Sequence, residues 1–120
     1  MELTKSELEI MDVLWDSERP LSRADLLERS KDKCWKDSSI HILLNGMLQK
    51  NAIEEAGFVK CSKTYGRTFK PSLTREQYYA RNVFCHKCKP DVVGLIGAIL
   101  ECQAVSTEER AQIKQLADKQ

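Results

Sequence analysis

Side chains able to do chemistry are few in this sequence and fall in two places. Cys85-His86-Lys87-Cys88 is the one local group with metal-like spacing. Two thiols separated by two residues can grip one soft ion, and His86 lies between them. A closed tetrahedral site within one chain would need Cys85, Cys88, Cys102 and a further ligand, and no second Cys-x-x-Cys organises one. The expectation is that these thiols are bystanders, with no metal and no cofactor. Five cysteines cannot complete an intramolecular disulfide framework, which fits a reducing, cytoplasmic setting. The second place is a run of hydrogen-bonding residues, Ser38, Ser39, His41 and Asn45, with Ile42 among them. Asn can bond an adenine edge in a bidentate manner, Ser can bond bases or phosphates, and Ile can touch a thymine methyl.

An enzyme is not expected. The two histidines form no His-Glu-x-x-His helix, and there is no Gly-x-Ser-x-Gly elbow or phosphate-cradling glycine loop. Carboxylates are plentiful, but they fall mostly at helix starts and on charged helix faces.

Residues that read DNA must project from one face of a helix whose other face is held by a core. Residues 38–49 have that pattern. Ile40, Leu43, Leu44, Met47 and Leu48 recur at the spacing of a buried stripe, and Ser38, His41, Asn45 and Gln49 lie opposite. Small polar residues let a helix enter a major groove about 12 Å wide. The helix alone fits an ordinary amphipathic surface helix equally well. The segment that follows favours the DNA reading. Residues 53–60 and 65–70 are rich in β-branched and aromatic residues around a short polar link, the pattern of a hairpin. Lys60, Lys63, Arg67 and Lys70 fall on it and could reach phosphates beside the groove, as could Lys36 ahead of the helix.

Charge follows the same division. The net charge of +1 hides a pattern. Residues 1–32 carry 5 basic and 9 acidic side chains, and residues 33–75 carry 8 basic and 3 acidic ones. The positive charge is thus concentrated around the candidate helix and hairpin.

Helix starts are marked by capping boxes at Thr4–Glu7, Ser22–Asp25, Thr74–Gln77 and Ser106–Glu109. They predict helices over 5–15, 23–30, 75–84 and 107 to near the end, with Asp91 capping a further helix over 92–102. The fold expected is mainly α with a small β-hairpin. A winged helix-turn-helix DNA-binding domain would occupy residues 1–73 and a helical dimerisation region residues 74–120. In the tail, Val92, Val93, Leu95, Ile96, Ile99 and Leu100 cover more than one side of a short helix. Such a helix wants burial on several faces, and a two-fold dimer would supply it, although packing back on the chain's own helices would also serve. No signal-peptide pattern opens the sequence, and the longest apolar stretch, residues 92–100, is far short of the roughly 20 residues that span a bilayer. No membrane insertion is expected.

The residues 3–15 (LTKSELEIMDVLW), 35–45 (WKDSSIHILLN) and 66–71 (GRTFKP), with the tail 95–100 and 106–116, resemble the penicillinase and methicillin-resistance repressors and their copper-responsive relatives. That resemblance spans nearly the whole chain. It implies a homodimeric winged-helix repressor on a dyad-symmetric, double-stranded operator, with the family's recognition-helix contacts mapping to Ser39, His41 and Ile42. It also implies, for the antibiotic-responsive members, cleavage by a membrane metalloprotease sensor near the start of the dimerising region. The nearest counterpart here is Asn82-Val83-Phe84. The chain departs from the family at Ile42, where Thr is usual, and at Gly46, where the usual Arg is a phosphate-reaching cation. It departs also at Asn51, which stands for the glycine that ends the helix. Two other readings are a winged-helix module that binds protein and a metal-responsive regulator.

Overall fold

The computed structural model describes residues 2–61, 64–83 and 91–119. The first compact unit, Met1–Cys85, begins with α1 (Lys5–Trp15), β1 (Leu21–Ser22) and α2 (Arg23–Arg29). A 3-10 turn, Asp37–Ser39, leads into α3 (Ile40–Gln49). The hairpin β2 (Ile53–Cys61) and β3 (Thr64–Pro71) follows, then α4 (Arg75–Val83).

The helix starts form as the capping boxes require. The Thr4 hydroxyl accepts the Glu7 N–H at 3.2 Å, and the Glu7 carboxylate accepts the Thr4 N–H at 2.9 Å. The reciprocal pairs at Ser22 and Asp25 are 3.2 and 3.1 Å. Those at Thr74 and Gln77 are 3.1 and 2.8 Å. Each box satisfies two N–H groups that a helix start leaves unpaired. The end of α3 is equally defined. Asn51 takes a left-handed φ of 61°, its N–H bonds Leu48 O at 3.0 Å, and the Ala52 N–H reaches back to Met47 O at 2.9 Å. This is a Schellman closure with asparagine in the place glycine usually fills.

The sheet has three strands in the order β1-β3-β2, all antiparallel. The hairpin was expected; the third strand was not. Leu21 and Ser22 pair with Phe69 and Thr68, and two residues are too few to show a strand period. A bulge lies between Glu55 and Gly57. Gly57 takes φ 133°, a conformation that L side chains rarely adopt, and the Thr68 hydroxyl donates to Gly57 O at 3.1 Å.

The core is one cluster. Ile10, Met11 and Leu14 of α1 meet Leu21, Leu26, Phe69 and the buried stripe of α3, which is Ile40, Leu44 and Met47. Tyr78 of α4 belongs to the same cluster. Its ring lies 5.7 Å from that of Trp15, whose Nε1 donates to Leu73 O at 2.9 Å. α4 thus adds to the core of the first compact unit, which runs to Cys85.

The second unit, His86–Gln120, holds α5 (Val92–Glu101) and α6 (Thr107–Lys119). The fourth capping box forms at Ser106 and Glu109, at 3.1 and 2.9 Å. Asp91 occupies the N-cap of α5 but makes no side-chain cap bond. Its carboxylate lies instead over Gly94, where an added Cβ would stand 2.8 Å from Asp91 Oδ2. Lys63, all of Cys85-His86-Lys87-Cys88 and Phe84 lie outside the described residues. Among the described residues no cluster of three or more His, Cys, Asp or Glu could hold a metal ion.

Candidate nucleic-acid interface

α3 divides its residues by helical phase. Ile40, Leu44 and Met47 are buried, while His41, Ile42, Asn45 and Gln49 are exposed. Ile42 is 76% exposed, more than an isoleucine held by its own domain would be. Ser38 is exposed and Ser39 half-buried in the 3-10 turn, and the Ser39 hydroxyl does not cap the helix. Lys36 is exposed just ahead of them. The loop before it is anchored by Trp35, which is buried, with the Lys33 ammonium 5.3 Å from its ring and 2.7 Å from Asp37. Ser38, His41, Ile42 and Asn45 are thus all exposed, with the apolar stripe of α3 behind them and Ser39 half-buried beside them.

Two of the hairpin cations, Arg67 and Lys70, are held in ion pairs. Arg67 is exposed, pairs with Glu55 at 2.6 Å and lies 5.4 Å from the Phe69 ring. Lys70 pairs with Glu54 at 3.2 Å. Phe58, opposite Arg67 in the register, is 69% exposed. Phosphate contact by Arg67 or Lys70 requires exchange of a carboxylate for a phosphate oxygen, and exposed pairs of this kind are weak enough to exchange.

Gly46 stands where the resembled family usually carries a phosphate-reaching Arg. In this chain the position is half-buried and faces α1, where an added Cβ would stand 3.0 Å from Glu7 Oε2. The glycine leaves room for a buried carboxylate. Glu7 is 4% exposed. Burial alone would raise its pKa, but the Lys50 ammonium at 2.5 Å and the Thr4 N–H outweigh burial and hold the carboxyl below its ordinary value. Lys50 is the C-cap of α3, so the pair ties the end of that helix to the start of α1.

Three residues that shape this face escaped the sequence reading: Glu7, Lys50 and Arg23. Glu7 was read as half of a capping box, which it is; its second bond to Lys50 joins positions far apart in sequence. Arg23, the first residue of α2, is exposed and touches His41 on α3. No local signal marked it, because the contact joins side chains on two different helices.

In the second unit, α5 and α6 bury no residue. Val93 is 81% exposed, Ile96 45%, Ile99 46% and Leu116 61%, while Val92, Leu95 and Leu100 are half-buried. No helix among the described residues is long and apolar enough to cross a membrane.

Among known proteins, the chain is 29% identical over 122 residues to a 16.5 kDa protein of Latilactobacillus sakei encoded in the ptsI 3′ region, covering 96% of this chain and 77% of that protein. The adhesin competence repressor AdcR of Streptococcus pyogenes has a similar structure, with TM-score 0.49 and 12% identity, covering 98% of this chain and 77% of that one. PadR of Bacillus subtilis, solved with operator DNA, has TM-score 0.49 and 15% identity, covering 93% and 58%. The sequence pattern of the penicillinase repressor family matches residues 3–119. The chain belongs to the penicillinase repressor family and is a transcriptional regulator, not an enzyme.

Proposed function

We propose that this protein represses transcription by binding a dyad-symmetric operator as a homodimer, with α3 of each protomer in a major groove, until an inducing signal releases it. The observation that carries the reading is the division of α3 and the turn before it: Ser38, His41, Ile42 and Asn45 outward, Ile40, Leu44 and Met47 inward. An ordinary surface helix gains little from leaving Ile42 bare; a thymine methyl in the groove gives it a partner. Lys36, Ser39 and Arg67 flank that face and suit phosphate contacts, and Lys63 is assigned the same role from sequence. Val92, Val93, Leu95, Ile96, Ile99 and Leu100 form the dimer contact. Membership of a repressor family supports the reading.

The test is a titration of labelled duplex carrying the chain's own upstream DNA, against a scrambled duplex, over a range of salt. Specific binding should exceed scrambled, and log K should fall linearly with log salt as counterions leave. Asn45→Ala should cost about tenfold on the specific duplex and little on the scrambled one, on the scale of a bidentate base contact. Arg67→Ala should weaken both duplexes alike and flatten the salt slope. Equal affinity for specific and scrambled DNA at every salt would remove the repressor reading.

A further inference from the structure

Arg23 opens α2 and His41 lies in the first turn of α3. Both side chains are exposed, and a terminal guanidinium nitrogen of Arg23 meets His41 Nε2. A guanidinium has five donors and no acceptor. The imidazole nitrogen that faces it can only accept. A neutral ring that accepts a hydrogen bond there carries its single proton on Nδ1. Among the described residues Arg23 forms no ion pair with a carboxylate that would compete with this contact.

We propose that Arg23 is a positioning residue that locks His41 as its Nδ1–H tautomer and so makes it a hydrogen-bond donor toward a base edge. The proposal rests on the reading of α3 as the recognition helix. With Nε2 occupied, Nδ1–H is the one polar edge the ring has left to offer. In the major groove a donor suits guanine O6 and N7, adenine N7 and thymine O4, and it meets no acceptor on cytosine, which shows an amino group there. A free imidazole favours the opposite tautomer, so without Arg23 the ring would present an acceptor as readily as a donor. Arg23 would then set a base preference without touching a base.

Two measurements on the full chain test this. In the first, the 15N-labelled His86→Gln variant, which keeps one imidazole, is examined by long-range 15N–1H NMR at about pH 8.5, where a free imidazole is neutral. The Nδ1–H pattern is expected, and it should shift toward Nε2–H in Arg23→Ala but persist in Arg23→Lys, which keeps a charged donor. The same tautomer with and without Arg23, or Nε2–H in the parent, overturns the proposal. The second measurement uses duplexes of the upstream DNA altered one base pair at a time. At one position in each half-site cytosine should be disfavoured about tenfold, and Arg23→Ala should reduce that to about twofold at that position alone. A uniform loss across all duplexes would make Arg23 a phosphate contact and overturn the proposal. A locked tautomer in a protein with no sequence preference would overturn it through the DNA reading, with the ring chemistry intact.

Discussion

A chain ending at Cys85 is expected to fold, to sediment as a monomer and to bind operator about two to four orders of magnitude more weakly than the full chain. The first unit has its own core: Phe69, Ile10, Met11, Leu14, Leu21, Leu26 and Met47 are fully buried within it. It therefore keeps the exposed face of α3. The loss comes from the tail. α5 and α6 bury no residue by themselves, and Val93, Ile96 and Ile99 leave an apolar surface that a second copy would cover. Linking two half-site binders makes the second binding event intramolecular, and that gain vanishes with the tail. Sedimentation velocity gives the assembly state, and fluorescence anisotropy on full-site and half-site duplexes gives the affinities. The truncated and full chains should bind a half-site alike. A full chain that stays monomeric at tens of micromolar would contradict this account of α5 and α6.

Lys50→Ala should destabilise the fold by about 2–3 kcal/mol at pH 7. Stranding a buried charge costs more than that in a closed interior, but the Lys50 side chain is 35% exposed against 5% for Glu7, and solvent reaches the site. The pH dependence should separate this from lost packing. In the parent protein the folded Glu7 pKa lies below its ordinary 4.5. The pair's contribution is thus fully present above that value and is lost as pH falls through the lower, folded value. Without Lys50, burial dominates and the folded pKa moves up. Acidification then protonates a carboxyl that the fold prefers neutral, so the variant should recover part of its loss below about pH 5. Glu7→Gln should cost less, because the half-exposed lysine turns to water. Urea unfolding of both variants at pH 7 and about pH 4.5 measures this. A Lys50→Ala deficit that is the same at both pH values would remove the ion pair from the explanation.

Local chemistry was the most legible part of the sequence. Four capping boxes mark four helix starts because Ser or Thr and a residue three positions on must both be present, and all four form. The α3 stripe was equally plain, since Ile40, Leu44 and Met47 recur at helical spacing. What lay hidden depends on pairs distant in the chain. β1 exists because Leu21 finds Phe69, and no window around Leu21 contains Phe69. The place of Tyr78 in the core was hidden too, because in sequence it reads as part of a helix with no sign of which partner it meets. Gly46 was read for its missing cation, whereas its position is set by a Glu7 carboxylate on another helix. Asp91 was given a capping role from its place before an apolar run, and the same chemistry took a different geometry. The exposed face of α3 was legible in residue type; the contact of Arg23 with His41 required the juxtaposition of two helices.

The pairing of Leu21 with Phe69 also dictates an order of events during synthesis. Residues of α1, α2 and α3 leave the ribosome before β3 exists. Until it arrives, Leu21 has no strand beside it and the apolar sides of three helices lack the Phe69 ring that ends up among them. Closing that contact carries a loop-closure penalty that local helix formation does not. The nascent helices therefore wait with uncovered apolar surface, and a message broken before codon 69 would yield a sticky fragment, not a smaller regulator.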